Sequence, residues 1–154
     1  GGGTGWTRGL VNSFLMRNGL PIYAAGSGYD PAWENQGVKA TLQNRDSRIQ
    51  IFTKMDGSVE NYTADGVNTV DLAWTVMGNN ETRMVTGYAV KKGKNYDVQQ
   101  QLNHDYGESR SIVFRGTEAL LNYMEASWLR NNTIDATADK YWRALRTRAK
   151  VDPD

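Results

Sequence analysis

Cysteine is absent from this chain. That excludes disulfides and any metal site built on thiolates. Histidine occurs once, as His104, and proline three times. A lone histidine with no second one at helical spacing offers no metal pair. His104 is flanked by Asn103 and Asp105 and reads as a solvated loop residue. Neither charge sign dominates: 18 Lys plus Arg stand against 17 Asp plus Glu, a formal net charge of +1. That balance leaves no electrostatic footprint for nucleic acid. No apolar run reaches the ~20 residues that a membrane helix requires. The opening Gly1-Gly2-Gly3 has none of the features of a signal peptide and reads as an internal cut. No metal and no cofactor is expected.

What the chain does contain is aromatic and loop-forming. Sixteen glycines mark turns, while five Trp and eight Tyr are too many for a disordered tail. The 39% apolar content supports a modest core in a chain of 154 residues. The expected fold class is α+β: a helix with loops over residues 1–47, a β-rich and irregular middle over 48–114, and an antiparallel helix hairpin over 115–150. Leu10, Val11, Phe14 and Leu15 form one apolar stripe, which predicts a helix over Thr7 to Asn18, with Gly19 and Pro21 to stop it. Tyr23 to Gly37 reads as a loop, and Val38 to Leu42 as a helical turn. Arg48 to Thr53 alternates polar and apolar and predicts a strand, closed by a turn at Asp56-Gly57. Asp71 to Met77 and Met84 to Val90 are further strand candidates, and Ile112-Val113-Phe114 is a brief apolar run. At the end, Leu120, Met124 and Trp128 repeat every four residues. Tyr141, Trp142, Leu145 and Ala149 form a second one-sided stripe. Asp135 is placed to cap that last helix, and the link Asn131 to Ile134 is short enough to fold the two helices back on each other.

The residues carry little catalytic chemistry. Gly26-Ser27-Gly28 lacks the nucleophile-elbow pattern, and the N-terminal glycines lack a phosphate-cradle ending. A glycoside hydrolase would need two facing carboxyl groups, for which Asp30, Glu34, Asp46, Glu118 and Glu125 are the candidates. Glu118 and Glu125 lie near Arg115, Arg143 and Arg146 in the hairpin, so structural ion pairs are the expectation for Arg115, Glu118, Glu125 and Arg146. The Asn-x-Ser/Thr triplets at Asn61, Asn80 and Asn131 read as chance in an Asn-rich chain. Aromatics outside the helical stripes suit the apolar face of a sugar ring, with amides and carboxylates to bond its hydroxyls. Tyr29, Trp33, Asn35 and Trp74 are therefore the candidate ligand contacts.

Several stretches, in order along the chain, resemble the SusD/RagB family. Leu10-Val11-Asn12-Ser13-Phe14 followed by Arg17-Asn18-Gly19-Leu20-Pro21-Ile22 is similar to that family's helix and exit, with Asn12 and Asn18 where Asp is common. Asn44-Arg45-Asp46-Ser47-Arg48-Ile49 resembles its Asn-Arg-Asp-Pro-Arg-Leu, with Ser47 in place of Pro. Thr86-Gly87-Tyr88 with Lys91 and Lys92 is similar to its Gly-Tyr strand. Phe114 to Ala126, and Ala138 to Ala149 with its Arg146-Thr147-Arg148-Ala149 end, look like its late helix pair. The resemblance implies a later part, the C-terminal half, of a mainly helical fold with tetratricopeptide-like helix pairs. It implies a non-catalytic receptor for oligosaccharides or peptides at the outer-membrane surface, lipid-anchored through a missing N-terminal segment. It also implies a TonB-dependent, SusC-like transporter as partner. A helix-pair protein-interaction module without a small-molecule ligand is the alternative.

Overall fold

Arg45 organises the first half of the molecule. The computed structural model describes residues 4–72, 84–93, 95–102 and 111–154. Within them α1 spans Arg8–Ser13, and the Thr7 side chain caps it by accepting from the Leu10 amide at 3.2 Å. The apolar stripe predicted a helix to Asn18, but the chain leaves the helix at Phe14, which is extended. The reason is tertiary. The fully buried Arg45 guanidinium donates from Nη2 to the carbonyls of Val11 (2.6 Å) and Phe14 (2.7 Å), which a longer helix would have used internally. Gly19 does adopt a left-handed conformation, but in the turn after Met16 rather than at a helix end.

The next segment is more helical than its sequence suggests. Pro31–Gln36 forms a 3-10 helix inside the expected loop, with Asp30 accepting from the Ala32 amide at 2.9 Å. α2 follows at Val38–Thr41, as predicted. α3, Ser47–Phe52, replaces the strand expected from Arg48 to Thr53. Six alternating residues do not distinguish the two periods, and the local cap decides: the Asp46 carboxylate accepts from the Arg48 amide at 2.8 Å. Only Ile49 of the alternating pair is buried, and Ile51 stays 59% exposed. Val11, Leu42 and Ile49 make the core, with Trp6, Phe14, Val38 and Tyr88 packed against it.

The sheet content is small. β1 (Val59–Thr63) and β2 (Gly66–Thr69) form one antiparallel hairpin, with Asn61 opposite Asn68 and Thr63 opposite Gly66 and a register shift between Val59 and Asn61 that leaves Val59 opposite Thr69. Met84 to Val90, expected as a strand, makes only isolated pairings, Gly5 with Ala89 and Thr53 with Val90. The predicted turn at Asp56-Gly57 is present, with Gly57 at φ 71°. A short helix α4 (Val98–Leu102) lies in the polar stretch that the periodicity left unassigned. The strand candidate from Asp71 to Met77 falls mostly outside the described residues. Ile112, Val113 and Phe114 form no strand and are 69%, 95% and 60% exposed.

The terminal hairpin is formed as expected. α5 spans Gly116–Asn131 and α6 Ala136–Arg148. Asn132 closes α5 in a left-handed conformation at φ 51°, a geometry asparagine tolerates. Asp135 caps α6 by accepting from the Ala138 amide at 2.8 Å, and also accepts from the Ser127 and Tyr123 hydroxyls on α5. At the other end Arg148 donates to Thr117 Oγ1 at 3.2 Å, so the two helices run antiparallel. Tyr123 and Tyr141 meet edge to face at 5.4 Å. The remaining aromatics are less packed than their periodicity implies: Trp128 is 49% and Trp142 46% exposed. The hairpin is tied to the body through backbone, Ser47 to Ala149 and Asp152 to Arg17. There Arg146 crosses so close over Gly19 that an added Cβ would collide with its guanidinium.

Two expectations follow. Arg45→Met removes the guanidinium bonds to the Val11 and Phe14 carbonyls, leaving Val11 with the Phe14 amide alone, and stability should fall by about 1–3 kcal/mol. A lower urea midpoint at unchanged slope is the signature, and an unchanged midpoint would refute the role.

The second concerns acid. Hydrogen bonds from Ser127 and from the Ala138 amide hold the Asp135 carboxyl below its ordinary value of 3.8. A group depressed in the folded state adds stability above its ordinary value and loses it as pH falls through the folded one. The hairpin should therefore loosen at low pH, and Asp135→Asn should flatten that acid limb of a melting-temperature profile.

Candidate functional site

The segment from Ser27 to Gln36 is held rigidly from beneath. The buried Ser27 hydroxyl donates to the Ile22 carbonyl at 3.0 Å and accepts from the Tyr29 amide at 3.3 Å. The Trp33 carbonyl accepts from the Thr41 hydroxyl at 3.3 Å, which docks the 3-10 helix on α2. Tyr29 and Trp33 then meet edge to face, with ring centroids 5.6 Å apart and planes at 81°.

Tyr29 is anchored at both ends. One face of its ring lies over the Arg45 guanidinium at 5.7 Å, and its hydroxyl donates to Glu34 Oε1 at 3.0 Å. The second carboxylate oxygen of Glu34 pairs with Arg8 on α1. Burial first, and then the Glu34 hydrogen bond, push the Tyr29 phenol up from 10.0 to about 12. Burial lowers the Arg45 guanidinium from its ordinary value, which still leaves it charged. Arg45 Nε and Nη1 have no hydrogen-bond partner among the described residues.

The structure brings Tyr29 and Trp33 into contact; Trp33 and Asn35 lie on the 3-10 helix and Tyr29 just before it, with Asn35 exposed and Trp33 half-buried. Trp74 lies outside the described residues. The sequence did not reveal that Arg8, from α1, and Arg45, from the Asn44-Arg45-Asp46 turn, complete this patch. Both are distant in the chain from Tyr29, and no local spacing links them.

Of the carboxyl candidates, Asp30 caps the 3-10 helix, and Glu34 and Asp46 are engaged by cations. Asp46 is buried and holds Arg48 through Nε at 3.0 Å and Nη2 at 2.5 Å. The ion pairs expected in the hairpin do not form among the described residues. Glu118 and Glu125 are exposed on α5, while Arg146 donates to the Asp152 carbonyl at 2.6 Å and lies over the Trp142 ring at 5.0 Å. The hairpin's ion pairs belong to Arg143 instead, which reaches Asp139 one turn away and Asp154. The Arg143–Asp139 pair lies within one helix and needs no facing one.

A second feature is a groove of ≈ 520 Å³ between α1 and α3 on one side and the hairpin on the other. Leu10, Ile51, Leu121 and Leu145 line it, and a smaller cavity that shares Arg48, Thr117, Leu121 and Leu145 with it is lined also by Trp142 and Val151.

The SusD family model matches residues 1–154. The chain belongs to the SusD family, whose members bind glycans and other nutrients at the cell surface without catalysis. No curated protein and no solved structure matches it. No helix among the described residues is long and apolar enough to cross a membrane.

The phenol at position 29 gives a direct test of this geometry. An absorbance titration of tyrosinate should show one group ionising near 12, which disappears in Tyr29→Phe. Because the folded value lies above the ordinary one, this phenol favours the fold below pH 10.0 and ceases to do so as pH rises to about 12. Glu34→Gln should lower that titration, and an unshifted titration would place Tyr29 away from Glu34.

Proposed function

We propose that this chain is part of a receptor that captures nutrient oligosaccharides, or in some settings peptides, at the outer-membrane surface. A lipid anchor holds it there, and it delivers ligand to a TonB-dependent, SusC-like transporter. The observation that carries this reading is the family match over the whole chain. The Tyr29–Trp33 pair supports it from geometry. Its half-buried indole sits on a 3-10 helix docked by the Thr41 hydroxyl, and Glu34 and Asn35 follow it in the same helix with hydrogen-bonding groups. A preset aromatic edge with adjacent amide and carboxylate groups suits a sugar ring, whose C–H face is apolar and whose rim is hydroxylated. Trp74 remains a candidate contact on the same reading.

The reaction class follows from the same residues. Glu34 is committed to Tyr29 and Arg8, and Asp46 to Arg48, so neither carboxylate is placed as a free acid or base. We expect binding without turnover. A helix-pair interaction module, the second reading, draws its support from the hairpin surface, where Leu129 is 76% and Trp128 49% exposed. The two readings are compatible if the hairpin is a tetratricopeptide-like pair facing the transporter.

Calorimetry against a panel of oligosaccharides decides between them. Trp33→Ala should weaken a bound sugar by about 1–3 kcal/mol, the usual cost of losing one anchoring aromatic. Trp74→Ala tests the other candidate in the same way. If both variants fold and bind like the parent, the sugar contacts lie elsewhere. Release of reducing ends from any glycan, abolished by a single carboxylate substitution, would contradict the absence of catalysis.

A further inference from the structure

The groove between the α1/α3 pair and the hairpin has a different chemistry from the Tyr29–Trp33 patch. Its floor is aliphatic: Leu10 on α1, Ile51 on α3, Leu121 on α5 and Leu145 on α6. Leu10, Ile51 and Leu121 are 43%, 59% and 48% exposed, an apolar surface that water covers at a cost. The aromatic rings at its edge already hold other groups. The Arg48 guanidinium lies over Phe14 at 5.8 Å, and the Lys92 ammonium over Phe52 at 5.5 Å. The Trp6 indole is fixed by its hydrogen bond to the Phe52 carbonyl at 3.2 Å.

The charge of the rim is one-sided. Four cations, Arg48, Lys92, Arg115 and Arg148, face one carboxylate, Glu118, in a chain that is nearly neutral as a whole. Arg48 is neutralised by Asp46, but among the described residues Arg148 meets the uncharged Thr117 hydroxyl and Lys92 a ring, neither of them a carboxylate. The Leu10, Ile51, Leu121 and Leu145 walls belong to helices, so those walls offer no open strand edge for an extended peptide to pair with. Residues Thr117, Glu118 and Leu121 share one face of α5, and Leu145 and Arg148 share one face of α6, as the walls of a helix-packing groove require.

We propose that this groove docks an amphipathic α-helix of a partner polypeptide, one that places leucine-like side chains on the aliphatic floor and acidic side chains against Arg115, Lys92 and Arg148. The occupant is fixed by charge complementarity: apolar packing alone would accept any hydrophobic helix, and the cationic rim selects the acid-flanked one. The inference does not depend on the Tyr29–Trp33 patch binding a sugar.

The test is fluorescence anisotropy with the 154-residue chain. The probe is a synthetic helix with leucines along one face and glutamates beside them, and the control is its lysine counterpart. The glutamate helix should bind at least ~10-fold more tightly than the lysine helix. Leu121→Asp should weaken it by a similar factor, with Ile51→Asp as a second floor variant should the first not fold by circular dichroism. Arg115→Glu should weaken the glutamate helix and strengthen the lysine helix. Equal binding of the two probes, or binding untouched by a folded floor variant, overturns the proposal. So does displacement of the probe by a neutral oligosaccharide, which would make the groove a sugar site. Concentration-dependent self-association of the parent chain that Leu121→Asp abolishes would assign the groove to a second copy and overturn it as well.

Discussion

The buried guanidinium of Arg45 is the constraint on which the rest of this structure depends. Burying a cation without a carboxylate on it is costly unless hydrogen bonds and ring faces replace water. Here two main-chain carbonyls and the Tyr29 ring supply that replacement. The consequences spread in both directions along the chain. α1 must end early to present Val11 and Phe14, and the left-handed Asn44 at φ 53° precedes the turn that carries Arg45 inward. Tyr29 must sit over the guanidinium, which fixes the loop that carries Trp33.

One residue further, Asp46 performs two local tasks. Its carboxylate caps α3 and grips Arg48, whose guanidinium then rests on Phe14. The adjacent Ser47 amide donates to the Ala149 carbonyl at 2.9 Å and joins the hairpin to this centre. The short run Asn44 to Arg48 thus links three parts of the fold: α1, the Tyr29 loop and α6. Hydrogen bonds to charged groups are stronger than neutral ones, so this junction is held more strongly than the two-stranded β1–β2 hairpin, where residues Gly66–Thr69 are all exposed.

Two surfaces of different chemistry flank one junction. The face carrying Trp33 is polar and aromatic, the chemistry that the proposed sugar contact calls for. The groove on the other side of α1 is aliphatic with a cationic rim, and suits a polypeptide. The receptor role proposed above would call for both kinds of contact, one for a hydroxylated ligand and one for a polypeptide.

Strong helical periodicity and capping were enough to read the hairpin and its Asp135 cap from the sequence. So were the turn at Asp56-Gly57 and the helical turn at Val38. Each rests on interactions within a few residues, which a linear pattern records. The Asn44 to Ile49 stretch and the late helix pair were also legible as family features, and the match over residues 1–154 agrees with them. What the sequence could not decide is where long-range partners fall. Arg48 to Thr53 alternates like a strand and is a helix, because Asp46 caps it. Arg146 was expected to meet Glu125 and instead turns to the Asp152 carbonyl and the Trp142 ring. Tyr29 and Trp33 were visible as candidates, while Arg8 and Arg45, which fix Tyr29 in place, were not. The aliphatic groove is drawn from four helices spread from Leu10 to Arg148, so it exists only once those helices are packed together.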